Sequence, residues 1–179
     1  IAAKILFEHK LNKTGLIKLD SKIEPSNLDE AYEIQEELKI LYLSLNNNKI
    51  IGKKIGATNK NAALQVGIKN PFYGNLFSRF SEINANFLNS KNFHLPYMEP
   101  EISFRIKEDI NISIAPFDIE NIENLIDGML CSIEIVDFRF KKPIDKIGAY
   151  NLIANNGASD YWLRHDNIYS LDRINLDNH

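Results

Sequence analysis

The stretch Met129-Leu130-Cys131-Ser132-Ile133-Glu134-Ile135-Val136-Asp137-Phe138-Arg139-Phe140 most limits what this chain can become. Its β-branched and aromatic residues predict a strand, and Glu134 interrupts it. A carboxylate among Ile, Val and Leu avoids burial unless something pairs with it or binds it. A second interruption of this kind lies upstream, in Tyr97-Met98-Glu99-Pro100-Glu101-Ile102-Ser103-Phe104. In an extended segment Glu99 and Glu101 share a face, roughly 6.5–7 Å apart. Pro100 removes a ladder donor between them, which predicts a strand edge or strand start. Carboxylates that close can converge on one hard cation, so Glu99, Glu101 and Glu134 are candidate ligands. Taken alone, Glu-x-Glu more often marks a solvated strand face.

The chain has 179 residues, enough for one domain with a real core. A net charge of −3 argues against nucleic acid as a default partner. The single cysteine, Cys131, rules out an internal disulfide and fits a reducing, cytoplasmic setting. Its apolar surroundings predict a buried, inert thiol. No apolar run approaches the roughly 20 residues of a membrane span, and no signal peptide is visible in the opening Ile1-Ala2-Ala3-Lys4-Ile5.

Apolar residues at 1, 5, 6 and 11 predict a short amphipathic helix over Ile1 to Lys13, ended by Thr14-Gly15. Leu16 to Ile23 reads as a linker or short extended piece. Ser26, with Asp29 three residues on, predicts the N-cap of a long helix. Ala31, Ile34, Leu38, Leu41 and Leu45 recur along it at helical spacing, Tyr32 and Gln35 ride on its flank, and Asn46-Asn47-Asn48 stops it. Strands and turns dominate afterwards. A strand is predicted over Ile50 to Ala57, a short helix over Asn61 to Val66 closed by Gly67, and a turn framed by Asn70-Pro71 and Gly74. Leu76 to Phe87 reads as extended. Strands are predicted near 98–107 and 129–140, a helix near 118–128, and further strands over Ile147 to Ala154 and Asp160 to Leu163.

Two further stretches, one on a predicted strand and one on a turn, carry polar groups. Gly52-Lys53-Lys54-Ile55-Gly56-Ala57-Thr58 puts lysines between glycines that allow close approach of a ligand. A solvated lysine is the commoner outcome of such a pattern. Asn155-Asn156-Gly157-Ala158-Ser159 offers amides and a hydroxyl on a turn. His9, His94, His165 and His179 form no metal-spaced pair and no triad-like motif, and no Walker loop or dinucleotide fingerprint is present.

In order along the chain come Gly52-Lys53-Lys54-Ile55-Gly56-Ala57-Thr58, Gly67, Pro71-Phe72-Tyr73-Gly74-x-Leu76-Phe77, Glu99-Pro100-Glu101, Ile133-Glu134-Ile135-Val136-Asp137-x-Arg139 and Ala154-Asn155-Asn156-Gly157-Ala158. Together with Ala31-Tyr32-x-x-Gln35, this series resembles the 2-keto-4-pentenoate hydratase group of the fumarylacetoacetate hydrolase superfamily, over nearly the whole chain. The resemblance implies an α+β fold: a mixed β-sandwich-like roll, fumarylacetoacetase C-terminal-domain-like, with N-terminal helices. It implies one domain over 1–179, helical over 1–49 and a β-rich, metal-binding part over 50–179 that is incomplete against the family. It implies Mg²⁺ or Mn²⁺ held by Glu99, Glu101 and Glu134, with Lys54 as the active-site lysine. Lys54, Phe72, Asn155, Asn156 and Ser159 fall at substrate-binding positions. The implied ligand is a small 2-oxo acid and the implied state a homo-oligomer.

Three departures bear on the reaction. Phe72 stands where hydratases of the group often carry an acid, and Asn155 replaces the Asp of the family's Asp-Asn turn. Family members also continue well past the position of His179. The leading expectation is a metal-dependent lyase that hydrates a 2-hydroxy-2,4-dienoate, as in aromatic catabolism. The alternatives are a 2-oxo-dioate decarboxylase of the same superfamily and a non-catalytic or truncated 2-oxo-acid-binding domain. A dioate needs a second cation, for which Lys53, Arg79 and Arg139 are candidates. A regular strand turns Asp137 and Arg139 away from Glu134, so these two are expected to pair rather than ligate.

Overall fold

A computed structural model describes residues 1–111, 113 and 115–171, with Glu120 described by its backbone alone. His179 lies outside the described residues. Two helices open the chain, α1 (Ala2–Leu11) and α2 (Leu28–Leu43). The cap of α2 sits one residue later than the sequence pattern predicts. Asn27, not Ser26, accepts the Glu30 N–H through its side chain, while the Ser26 N–H and hydroxyl both donate to the Glu30 carboxylate. Those Ser26 hydrogen bonds hold the Glu30 carboxyl below the usual carboxylate range.

Strand β1 (Ile50–Gly56) pairs antiparallel with β2 (Phe72–Phe77), with α3 (Lys60–Val66) between them. Gly74 lies inside β2 rather than at a turn. The segment expected to be extended after Leu76 is in part a buried end of β2, followed by a single 3-10 turn over Ser78–Phe80 and the short β3 (Ser81–Ile83). The two long predicted strands are β4 (Pro96–Ile106) and β5 (Ile126–Asp137), joined through α4 (Ile119–Leu125). Short α5 (Ile144–Ile147) and α6 (Ala149–Ala154) then lead to β6 (Ser159–Arg164). The strand expected over Ile147 to Ala154 is thus a helix: Leu152, Ile153 and Ala154 are all buried, and a short apolar run of that kind suits a buried helical turn as well as a strand.

The second sheet runs β3-β6-β5-β4, with β3 parallel to β6 and the other pairs antiparallel. β4 is its edge, which is where Pro100 is tolerated. The main core joins the N-terminal helices to both sheets: Leu6, Leu38 and Tyr42 meet Phe77, Val136, Phe140 and Leu152. Gln35 does not ride on a flank. It is fully buried, and its Nε2 donates to the carbonyls of Tyr73 (3.0 Å) and Ile153 (2.9 Å), tying α2 to β2 and α6. Cys131 is exposed, contrary to the sequence expectation. The alternation of β5 places it with Ile133 on the face opposite Glu134, and that face, with Met98, Ile102 and Phe104 from β4, is open to solvent.

Candidate metal and acid-binding site

Register brings the three glutamates together. Glu99 pairs directly with Glu134 across β4 and β5, and Glu101 pairs with Ser132, one diagonal step away on the same face. One carboxylate oxygen from each lies within 4.8 Å of the others. Like charges directly opposite each other destabilise a ladder. Here burial adds to the repulsion: Glu134 is fully buried, Glu101 half-buried and Glu99 exposed. Burial first, then the charge of Glu134, pushes the Glu101 carboxyl up to about 7. Burial raises the more exposed Glu99 as well, against a lowering pull from Lys54.

Among the described residues Glu134 has one ionic partner, Lys54, whose Nζ lies 3.1 Å from Oε2. Beyond that ion pair neither of its carboxylate oxygens accepts a hydrogen bond of good geometry among the described residues, although both are buried. A buried carboxylate with spare lone pairs, faced by two more, is an oxygen donor set of the kind a hard divalent cation takes. The residues therefore fit Mg²⁺ or Mn²⁺.

Lys54 is buried, not solvated. It pairs with Gly74 across β1 and β2, and the absent side chain there makes its room: a Cβ on Gly74 would collide with the Asn156 carbonyl oxygen and approach Lys54 Cγ at 3.2 Å. Lys54 Nζ also donates to the Gly157 carbonyl at 3.3 Å and lies 5.8 Å from the centroid of the Phe72 ring. Gly157 holds φ +63°, a left-handed conformation that suits glycine. Asn156 anchors this turn. Its Oδ1 accepts the Asn75 N–H (2.7 Å) and its Nδ2 donates to the Asn75 carbonyl (2.9 Å), imitating a ladder pair with β2. Asn155 is buried beside it and Ser159 opens β6. Lys54, Phe72 and the 155–159 turn thus gather around one end of β1 and β2, and Lys54 links them to the glutamates.

Among curated proteins, the 2-keto-4-pentenoate hydratase of Paraburkholderia xenovorans is 27% identical over 162 residues, 90% of this chain. A 4-oxalocrotonate decarboxylase of Pseudomonas putida is 25% identical over 148 residues, 82% of this chain. The resemblance to the 2-keto-4-pentenoate hydratase group holds. No family model matches the chain. The chain spans 58% of that hydratase and 54% of that decarboxylase. In structure, the 4-oxalocrotonate decarboxylase from Pseudomonas putida G7, complexed with magnesium and adipate, matches 98% of this chain and 65% of its own at a TM-score of 0.83 and 23% identity, which establishes the fold. Against the pattern of the hydratase group, Phe72 is an apolar wall beside Lys54, packed with Ala31 and Ile153, and offers no proton.

Of the cations considered for a dioate, none is free inside the site. Arg139 is buried and bonded to Asp137 (2.6 Å) and to Asp160, Lys53 donates to Asn75 Oδ1 (2.5 Å) above the Tyr73 ring, and Arg79 is exposed. Asp137 also accepts the backbone N–H groups of His94 (2.9 Å) and Leu95 (2.5 Å). It pairs with Arg139 and stands outside the carboxylate cluster, as strand alternation predicts. The member of this buried ion network that sequence reading missed is Lys10, whose Nζ reaches Asp160 Oδ1 (2.5 Å) and the Asp160 carbonyl (2.7 Å) from α1. Only its place on an amphipathic helix hinted at burial, and lysine identity argued against it.

Proposed function

We propose that the chain carries the site of a divalent-metal-dependent lyase acting on a 2-oxo acid or 2-hydroxy-dienoate, of the hydratase kind. The fold would then be the fumarylacetoacetase C-terminal-domain-like roll, with 1–179 acting as one unit of helical (1–49) and β-rich (50–179) parts. The observation that carries the reading is Glu134: fully buried, with no hydrogen bond of good geometry among the described residues beyond its Lys54 ion pair, and directly opposite Glu99.

In this reading Glu99, Glu101 and Glu134 hold Mg²⁺ or Mn²⁺. A cation bound there supplies Lewis-acid stabilisation of negative charge developing on a chelated 2-oxo acid. Lys54 is the group that binds the acid's carboxylate or moves a proton, because it is the buried cation beside Glu134. In this reading Asn155 and Ser159 of the 155–159 turn serve the acid, Asn156, bonded to the Asn75 backbone, holds the turn in place, and Phe72 excludes water from the Lys54 side. A 2-oxo-dioate decarboxylase is the second reading. It draws on the matched decarboxylase structure, whose complex contains the dicarboxylate adipate. The engagement of Arg139 and Lys53 in other bonds favours a monoacid.

The test is metal-dependent exchange of deuterium into C3 of 2-oxopentanoate, followed by NMR. The reading expects exchange with Mg²⁺, at least tenfold slower in Lys54→Ala. Folded protein that gives no metal-dependent exchange leaves a non-catalytic acid-binding domain as the better reading.

A further inference from the structure

Trp162 is the one tryptophan of the chain. It stands on β6 directly opposite Glu134, so both side chains rise from the same face of the sheet. Its ring is buried with Leu76 and Leu130. Ser132 lies between Leu130 and Glu134 on that face and is the residue paired with Glu101. The indole thus belongs to the wall of the carboxylate cluster. Its Nε1–H is buried and has no hydrogen-bond partner among the described residues.

An indole N–H is a donor only, and buried tryptophans ordinarily find an acceptor. Leaving such a donor unmade forfeits its hydration with nothing in return. Neither Leu76 nor Leu130 can accept, and none of the three carboxylates does. Among the described residues no acceptor stands there, and an oxygen brought by a bound molecule would complete the bond. Its neighbours on that wall are aliphatic, so the arriving molecule carries carbon next to that oxygen.

We infer that the Trp162 indole N–H donates to an oxygen of the bound 2-oxo acid, with Leu76 and Leu130 against its carbon chain. This rests on the proposed 2-oxo-acid site and adds a specificity residue to it. The hydrogen bond selects acids that place an acceptor over β6, and its loss weakens acid binding without touching the metal ligands.

The 15N-labelled 179-residue chain gives one indole Nε1–H cross-peak. With Mg²⁺ present, titration with 2-oxopentanoate should move that peak downfield and slow its exchange with water, saturating together with the calorimetric isotherm. Trp162→Phe keeps the aromatic packing and removes the donor. It should bind 2-oxopentanoate five- to tenfold more weakly, the ratio expected for one hydrogen bond of about 1 kcal/mol, with Mg²⁺ affinity unchanged. An indole peak that stays in place while the acid binds overturns the inference, and so does equal affinity in Trp162→Phe. Wild-type chain that binds Mg²⁺ but no 2-oxo acid overturns the underlying reading, and this inference with it. The NMR measurement needs no substitution, so it decides the matter even where the variant fails to fold.

Discussion

Lys10 shows how far a single side chain can be pushed here. Burial lowers it to about 8 from the ordinary 10.5, outweighing the attraction of Asp160; Arg139 lowers it further and Asp137 opposes. A lysine depressed on folding binds fewer protons in the native state between those two values. Its contribution to stability is therefore fully present above about 10.5 and is lost as pH falls through about 8. Urea unfolding between pH 8 and 10.5 should show this rising component, and Lys10→Met should flatten it. A wild-type slope no steeper than that of the variant would place Lys10 in water. The glutamates were readable in sequence because charge in an apolar strand is itself a signal. The burial of Lys54 and Lys10 was not, and Lys54 stood out only through the family resemblance, since a buried lysine and a solvated one are written identically until a partner from a distant segment, Glu134 or Asp160, closes on it.

At the scale of elements, the site depends on how the 156–158 turn meets β2. Gly74→Ala drives a methyl into the Asn156 carbonyl and the Lys54 stem. It should destabilise the chain by about 1–3 kcal/mol, the usual range for overpacking. Asn156→Ala leaves both backbone groups of Asn75 unpaired in a buried place, and should cost a further ~2 kcal/mol or more. Denaturant midpoints measure both; unchanged midpoints would mean that the turn is not held by β2. Periodicity sufficed for α1, α2, β1, β4 and β5, whose patterns run for several repeats. It failed at α6, where six residues, all apolar but Tyr150 and Asn151, carry no period to read. It also misplaced Gly74, because glycine marks turns and close approaches alike.

At the scale of the whole molecule, the outer face of β4 and β5 is apolar and open, with Met98 73% and Ile102 55% exposed. The partner proposed for that face is a second copy of the chain. Size-exclusion with light scattering should give a mass above 20.5 kDa, falling to the monomer in an Ile102→Asp, Ile133→Asp double variant; a wild-type monomer at micromolar concentration would contradict this. Neither substitution lies on the glutamate face, so metal binding should survive it. The proposed site stands on that binding, and calorimetry of Mg²⁺ or Mn²⁺ with wild type and Glu134→Gln, each first shown folded by circular dichroism, tests it most directly. Wild type should bind one divalent cation per chain and Glu134→Gln at least tenfold more weakly; equal binding by both proteins would refute the three-glutamate site.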